Sequence, residues 1–178
     1  RKIMESVLNK LPVLEEWHDL SFIKKMGFFS WNKSIINLHN PLLDKDLNSK
    51  FLKRLAYDEI FAPWIKSMGL RDIQINKGKA SAVLPQSISL QWANGAICGQ
   101  AIMAAIDTVV AMAMLTTDKF SKGTASQNTQ FLSPAIGEDL LIDVNVLKFG
   151  KVIAYAETKV TLVNSGKLVA HATNEFVF

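Results

Sequence analysis

Cysteine is almost absent: Cys98 is the only one in 178 residues. A single thiol excludes an intrachain disulfide and any cysteine-built metal site. Histidine is nearly as scarce, with three, and His18 and His39 show no metal-ligand spacing with the cysteine. No Gly-x-x-x-x-Gly-Lys-Ser/Thr stretch occurs, so a phosphate loop of that kind is missing. A strong charge of one sign is missing too. The net charge of +4 permits an anionic ligand such as a phosphate but does not single out nucleic acid. The sequence has no internal repeat and no low-complexity run. The basic opening "RKIMESVLNKLP" is not followed by the apolar run of a signal peptide, which leads us to expect a cytoplasmic protein. The start at Arg1 suggests a fragment or a trimmed product. What is present is apolar: 49% of residues are hydrophobic, enough for a packed core.

The composition breaks near residue 62. Residues 1–62 carry ten Lys/Arg and eight Asp/Glu, and residues 63–178 carry the same numbers over almost twice the length. Apolar spacing in the first part is helical, with Phe51, Leu52, Leu55, Ile60 and Phe61 ahead of Pro63, which either kinks or restarts the helix. We therefore divide the chain into a helical appendage over 1–62 and a domain over 63–178. In the second part the period changes to two. "DLLIDVNVLKF" puts Leu140, Ile142, Val144 and Val146 on one face, and "VIAYAETKVTLV" and "KLVAHATNEFVF" read as further strands. Gly150-Lys151 and Asn164-Ser165-Gly166 supply the turns. Upstream, "GLRDIQINKGKASAVLP" reads as two strands turning at Lys77-Gly78.

Between these strand groups lies "GAICGQAIMAAIDTVVAMAML", residues 95–115, apolar almost throughout yet carrying Asp107. A helix apolar on every side has to be buried, in a core or in lipid. Gln100, Asp107 and Thr108 argue against lipid, because a carboxylate at mid-bilayer is costly. The many alanines suit close packing on a sheet. Asp107 is thus expected as an acid on an enclosed helix. Taken alone, it is either a structural acid held by backbone or a cation, or a working one.

From about Phe61 to Phe178 the sequence resembles the hotdog-fold thioesterases of the phenylacetate-pathway (PaaI-like) type. The resemblance is carried by "FAPWIKSMGL", "NGAICGQAIMAAIDTVVAMAM", "GTASQNTQFLSPAIGEDL" and "LKFGKVIAYAETKVTLVNSGKLVAHATNEFVF". Within it Phe131-Leu132-Ser133-Pro134 is followed by Gly137, Glu138 and Asp139. The resemblance implies an α+β hotdog fold, an antiparallel sheet wrapped around one long central helix. It also implies an acyl-CoA thioester hydrolase with no cofactor and no metal, acting as a homodimer or homotetramer with its sites between subunits. Asp107 matches the family's helix-borne carboxylate, nucleophile or general base. Gly99 matches the position whose N–H, offered by the partner subunit, polarises the thioester carbonyl, its missing side chain letting that carbonyl approach. Thr124 matches the hydroxyl that orients the attacking water. Gln100, Asn128, Lys148 and Lys151 are the expected substrate-binding residues, the two lysines through the CoA phosphates. The chain departs from the family in having Cys98-Gly99-Gln100 for His-Gly-Gly and Trp92 for an Asn, with Asn94 out of register. A non-catalytic acyl-CoA-binding protein is the alternative that these departures favour.

Other residues have plainer readings. Cys98 sits at a helix start but has no histidine close in sequence, which favours a small filler over a nucleophile. His171 reads as a sheet residue. Met103, Met112 and Met114 read as core filler or as the lining of an acyl pocket. Residues 1–62, with "LPVLEEWHDLSFIKKMGFFSWNKSIINLHNP" and "KFLKRLAYDEIFA", resemble the wedge-to-motor linker of a RecG-type branch-migration helicase. With neither phosphate loop nor DNA-binding barrel, helicase activity is not carried over, and a helicase fragment fused to a hotdog domain stands as an alternative beside a genuine helical appendage. The near balance of charges in this stretch makes nucleic acid an improbable partner.

Overall fold

The computed structural model describes residues 60–178 apart from Asp118 and Phe120. All but residues 60–62 of the proposed appendage, and with them nearly all of its helicase resemblance, lie outside the described residues. Helix α1 (Pro63–Ser67) starts at the proline, whose fixed φ suits the first turn and whose missing N–H costs nothing there. It leads into β1 (Arg71–Asn76) and β2 (Lys79–Leu84), then a short 3-10 turn (Ile88–Leu90) and the long helix α2 (Gly99–Met114). Four strands follow: β3 (Gly123–Phe131), β4 (Leu140–Phe149), β5 (Ile153–Leu162) and β6 (Leu168–Val177). They form one sheet in the order β1-β2-β4-β5-β6-β3, every neighbouring pair antiparallel.

The period-two pattern decides which face meets the helix. Leu140, Ile142 and Val144 on β4, Ala154, Ala156, Thr158 and Val160 on β5, and Ala170, Ala172, Asn174 and Phe176 on β6 are buried, while the residues between them are exposed or half-buried. The expected inner face of β4 is therefore present, and both expected turns close their hairpins. At the first of them a side chain on Gly150 would place its Cβ 2.2 Å from the carbonyl oxygen of Ile153, so only glycine fits.

Helix α2 lies across the inner face against β2, β3 and β4. Ala101, Ile102, Ala105, Ile106, Val109, Val110, Met112 and Ala113 are buried. Small alanines let the backbone approach the sheet, and the branched residues fill the space between. Truncating Ile106, fully buried in this layer, would cost on the order of 2–5 kcal/mol. The enclosure is not complete, however. Gln100, Met103 and Asp107 are exposed, and Gly99, Ala104 and Ala111 are half-buried. These positions recur at helical spacing and form one stripe. The sheet covers only one side of the helix, and Asp107 falls on the other, the side that the expected site between subunits requires.

Candidate functional site

The site is built where the open stripe of α2 runs beside β3. Among the described residues β3 is an edge strand, paired to β6 on one side only. It is rich in polar residues, and none of its residues is fully buried. Its register with β6 breaks between Thr124 and Ser126. Thr124 opposes Phe176 and Gln127 opposes Asn174, both on the inner face, so Thr124 and Gln127 face the helix although three positions apart. Without the bulge Thr124 would share the outward face of Ser126, Asn128 and Gln130. A bulge re-aims a side chain in just this way.

Thr124 uses that direction to reach Asp107. Its hydroxyl donates to Asp107 Oδ1 at 2.5 Å. Gln127 Nε2 donates to the carbonyl of Met103 at 3.1 Å and to Thr129 Oγ1 at 3.3 Å, while Gln127 Oε1 accepts from Asn174 Nδ2 at 3.0 Å. Among the described residues no basic side chain pairs with Asp107, and its one side-chain hydrogen-bonding partner is the threonine. Such a carboxylate keeps free lone pairs toward solvent and can accept a proton or attack a carbon.

The helix start is the second element. The chain enters it through Ile97, whose N–H donates to Ala135 O at 2.9 Å, and through an Ala96–Ile136 bridge. This anchors the start of α2 to the segment after the Phe131-Leu132-Ser133-Pro134 motif. Cys98 is the N-cap and supplies no side-chain cap, so the first-turn N–H groups are left to external partners. The space beside Gly99 differs from expectation. A Cβ there would lie 3.1 Å from Cζ of Phe131, so the missing side chain makes room for an aromatic ring. That ring is itself 49% exposed and borders the open stripe. Gly99 and Asp107 are eight residues apart on one helix, which is about 12 Å along its axis.

The remaining expected residues separate. Gln100 is exposed on the open stripe, one turn ahead of Met103 and Ala104. Asn128 opposes Thr173 on the outer face, turned away from Asp107, and accepts from Gln130 Nε2 at 2.8 Å. Lys148 opposes Tyr155, also on the outer face, and Lys151 is exposed at the β4–β5 turn. The register links Thr124 to Phe176, Ala154 and Phe149, so this turn lies three strands, about 14 Å, from Thr124. Within one protomer these lysines do not reach the carboxylate. The basic group that packs at that turn is Lys119, which donates to Gly150 O and lies 5.3 Å from the centroid of the Phe178 ring. Met112 and Met114 are core residues, but Met103 is 39% exposed beside Asp107. Asn94 is spent on a local turn, its Oδ1 accepting from Ala96 N at 3.1 Å, and Trp92 is exposed.

Glu138 and Asp139 are occupied. Glu138 Oε2 accepts from Ser165 N at 3.0 Å and Asn164 N at 2.7 Å, and the bond from Ser165 leads in holding its carboxyl below the usual range. Asp139 Oδ1 accepts from Gln86 N at 2.7 Å and Oδ2 from Arg71; the Gln86 amide leads in lowering its carboxyl, with the guanidinium adding to it. Gln127 and Asn174 escaped the sequence reading, because a buried asparagine on an alternating strand shows no signal until its partner is known. Among the described residues, no three of His, Cys, Asp or Glu gather closely enough to hold a metal ion, and no helix is long and apolar enough to cross a membrane.

No protein-family model matches the chain. It is 33% identical over 78 residues to acyl-coenzyme A thioesterase 13 of Mus musculus, and 35% identical over 78 residues to that of Homo sapiens. Each match covers 43% of this chain and 56% of the relative, so the chain spans about half the length of the curated relatives it matches. Among solved structures, the zebra fish thioesterase superfamily member 2 superimposes with a TM-score of 0.64 at 23% identity, covering 76% of this chain and 98% of that one. The PaaI protein from the phenylacetic acid degradation operon of E. coli does so at 0.58 and 19% identity, covering 64% and 86%. The protein smu.793 of Streptococcus mutans UA159, solved bound to acetyl CoA, does so at 0.57 and 19%, covering 61% and 87%. The fold is therefore the hotdog fold, one antiparallel sheet curled around a central helix.

Proposed function

We propose that the chain is an acyl-CoA thioester hydrolase whose site forms between two copies. The observation that carries this is Asp107: an exposed carboxylate on the open stripe of the central helix, held by one threonine hydroxyl. The names of the thioesterase relatives and of the acetyl CoA-bound neighbour support the substrate class. Asp107 acts as nucleophile on the thioester carbonyl or as base for water, and Thr124 holds the carboxylate or passes its bond to that water. The developing oxyanion needs N–H donors near 3 Å. The free donors of the same chain's helix start lie about 12 Å from Asp107, too far to act on one carbonyl. A second copy, added along the unpaired edge of β3, supplies its own Gly99 N–H instead. The open edge strand supports such pairing, since unpaired strand edges are templates for it. Asn128, Lys148 and Lys151, remote from Asp107 within one protomer, then contact the bound nucleotide only across subunits.

The Phe131 ring beside Gly99 supports a second reading, a protein that binds acyl-CoA without turning it over, because the ring stands where a carbonyl would approach. A thiol-release assay over a panel of acyl-CoAs separates the two. Turnover that Asp107→Asn abolishes supports the hydrolase, and saturable binding with no thiol release supports the binder.

A further inference from the structure

Asn174 presents a puzzle that catalysis by Asp107 and Thr124 alone leaves unsolved. It is 2% exposed, on the inner face of β6 between Ala172 and Phe176, and its Oδ1 has no hydrogen-bond partner. A buried amide with one group unmet is costly, and an apolar residue of similar size avoids that cost. The one bond the side chain makes is from Nδ2 to Gln127 Oε1.

Met103 O can only accept, so the Gln127 amide nitrogen faces the helix and donates to it, and Gln127 Oε1 turns to Asn174 Nδ2, which holds it there. In an α-helix the N–H of Asp107 is directed to this same carbonyl, four residues back. Gln127 thus grips the peptide one turn before Asp107, while Thr124, on the far side of the bulge, grips the carboxylate itself. We propose that Gln127, tethered by Asn174, is a positioning residue that locks the 103–107 turn of α2 to β3 and so aims the Asp107 carboxylate. This rests on the hydrolase reading of Asp107.

The test uses Gln127→Met and Asn174→Leu, which remove the hydrogen bonds at similar size, and the double variant, each assayed for acyl-CoA thiol release and for amide hydrogen exchange. Each single variant should lower kcat roughly ten- to hundredfold with KM nearly unchanged, since misaiming a reacting group costs in the chemical step. The double variant should lose no more than either single one, because both act through one clamp. Exchange should quicken in the 103–107 turn and stay as it was in the last turns of α2. If Asn174→Leu does not fold, Gln127→Glu replaces it: it keeps an acceptor for Asn174, loses the donor to Met103, and should show the same loss. An unchanged kcat, a loss confined to KM, or multiplicative losses in the double variant overturn the proposal. If the native protein hydrolyses no acyl-CoA, the hydrolase reading fails by itself, and unchanged exchange in Gln127→Met then overturns the clamp independently of turnover.

Discussion

Two kinds of carboxylate sit in this domain, and they are treated in opposite ways. Glu138 and Asp139, at the entry to β4, each hold two donors: two backbone N–H groups meet Glu138 Oε2, and the Gln86 N–H and Arg71 meet Asp139. Asp107, at the middle of α2, has one hydroxyl partner and an open side. An acid tied to two donors from separate segments holds those segments together. An acid with lone pairs to spare can do chemistry. Residue type does not separate the two; the number of donors aimed at each does.

The widest separation is expected in activity. Asp107→Asn keeps the shape and loses the charge, so thiol release should fall by about a thousandfold or more while circular dichroism and Tm stay close to the native values. Substantial turnover in that variant would place the chemistry elsewhere. A smaller loss is expected one bond out. Thr124→Val should lower kcat by about tenfold, whereas Thr124→Ser, which keeps the hydroxyl, should stay near native; equal effects of the two would mean the hydroxyl is not used.

For the structural acids the readout is stability. Asp139→Ala leaves the Gln86 N–H without its acceptor and Arg71 with Asp72 alone, and should cost about 1–2 kcal/mol in denaturant melts with little change in kcat per folded molecule. The same contacts fix a pH dependence. The carboxyls of Asp139 and Glu138 lie lower in the folded than in the unfolded chain. The unfolded state therefore binds protons more readily. Their contribution is complete above the ordinary carboxylate range, near pH 4, and is lost as pH falls through the depressed folded values. Asp139→Asn should flatten that acid limb of stability, and an unaltered limb would show the bonds to be inconsequential. The smallest effect is expected at Gly99. In Gly99→Ala the Cβ meets Phe131 Cζ at 3.1 Å, and the half-exposed ring can give way, so stability should change by under about 1 kcal/mol. Any larger drop in turnover than in stability would then report on the space beside the helix start.

Most of the fold was legible because it rests on periodicity. Alternation in residues 140–146 named the inner face of β4, and Lys77-Gly78, Gly150-Lys151 and Asn164-Ser165-Gly166 named the turns, since backbone conformation there depends on local residues. The candidate acid was legible too, as the one charge in an apolar run. Which residues share its open stripe was not, because hydropathy cannot say how many sides of a helix a sheet will cover. Nor could spacing predict that Thr124 and Gln127 share a face, since a single extra residue in the bulge shifts the alternation. Spacing equally hid that Asn128 and Lys148 would point to the other side.

The amino-acid order by itself determined the strands before and after the long helix except β3, the inner face of β4 and the identity of the lone acid on that helix, because each depends on neighbours within a few residues. Only the tertiary structure decided that the acid faces outward, that Thr124 and Gln127 converge on its turn, and that Phe131 closes over Gly99. Those outcomes depend on strand register and on which surfaces meet, which residues far apart in the chain settle together.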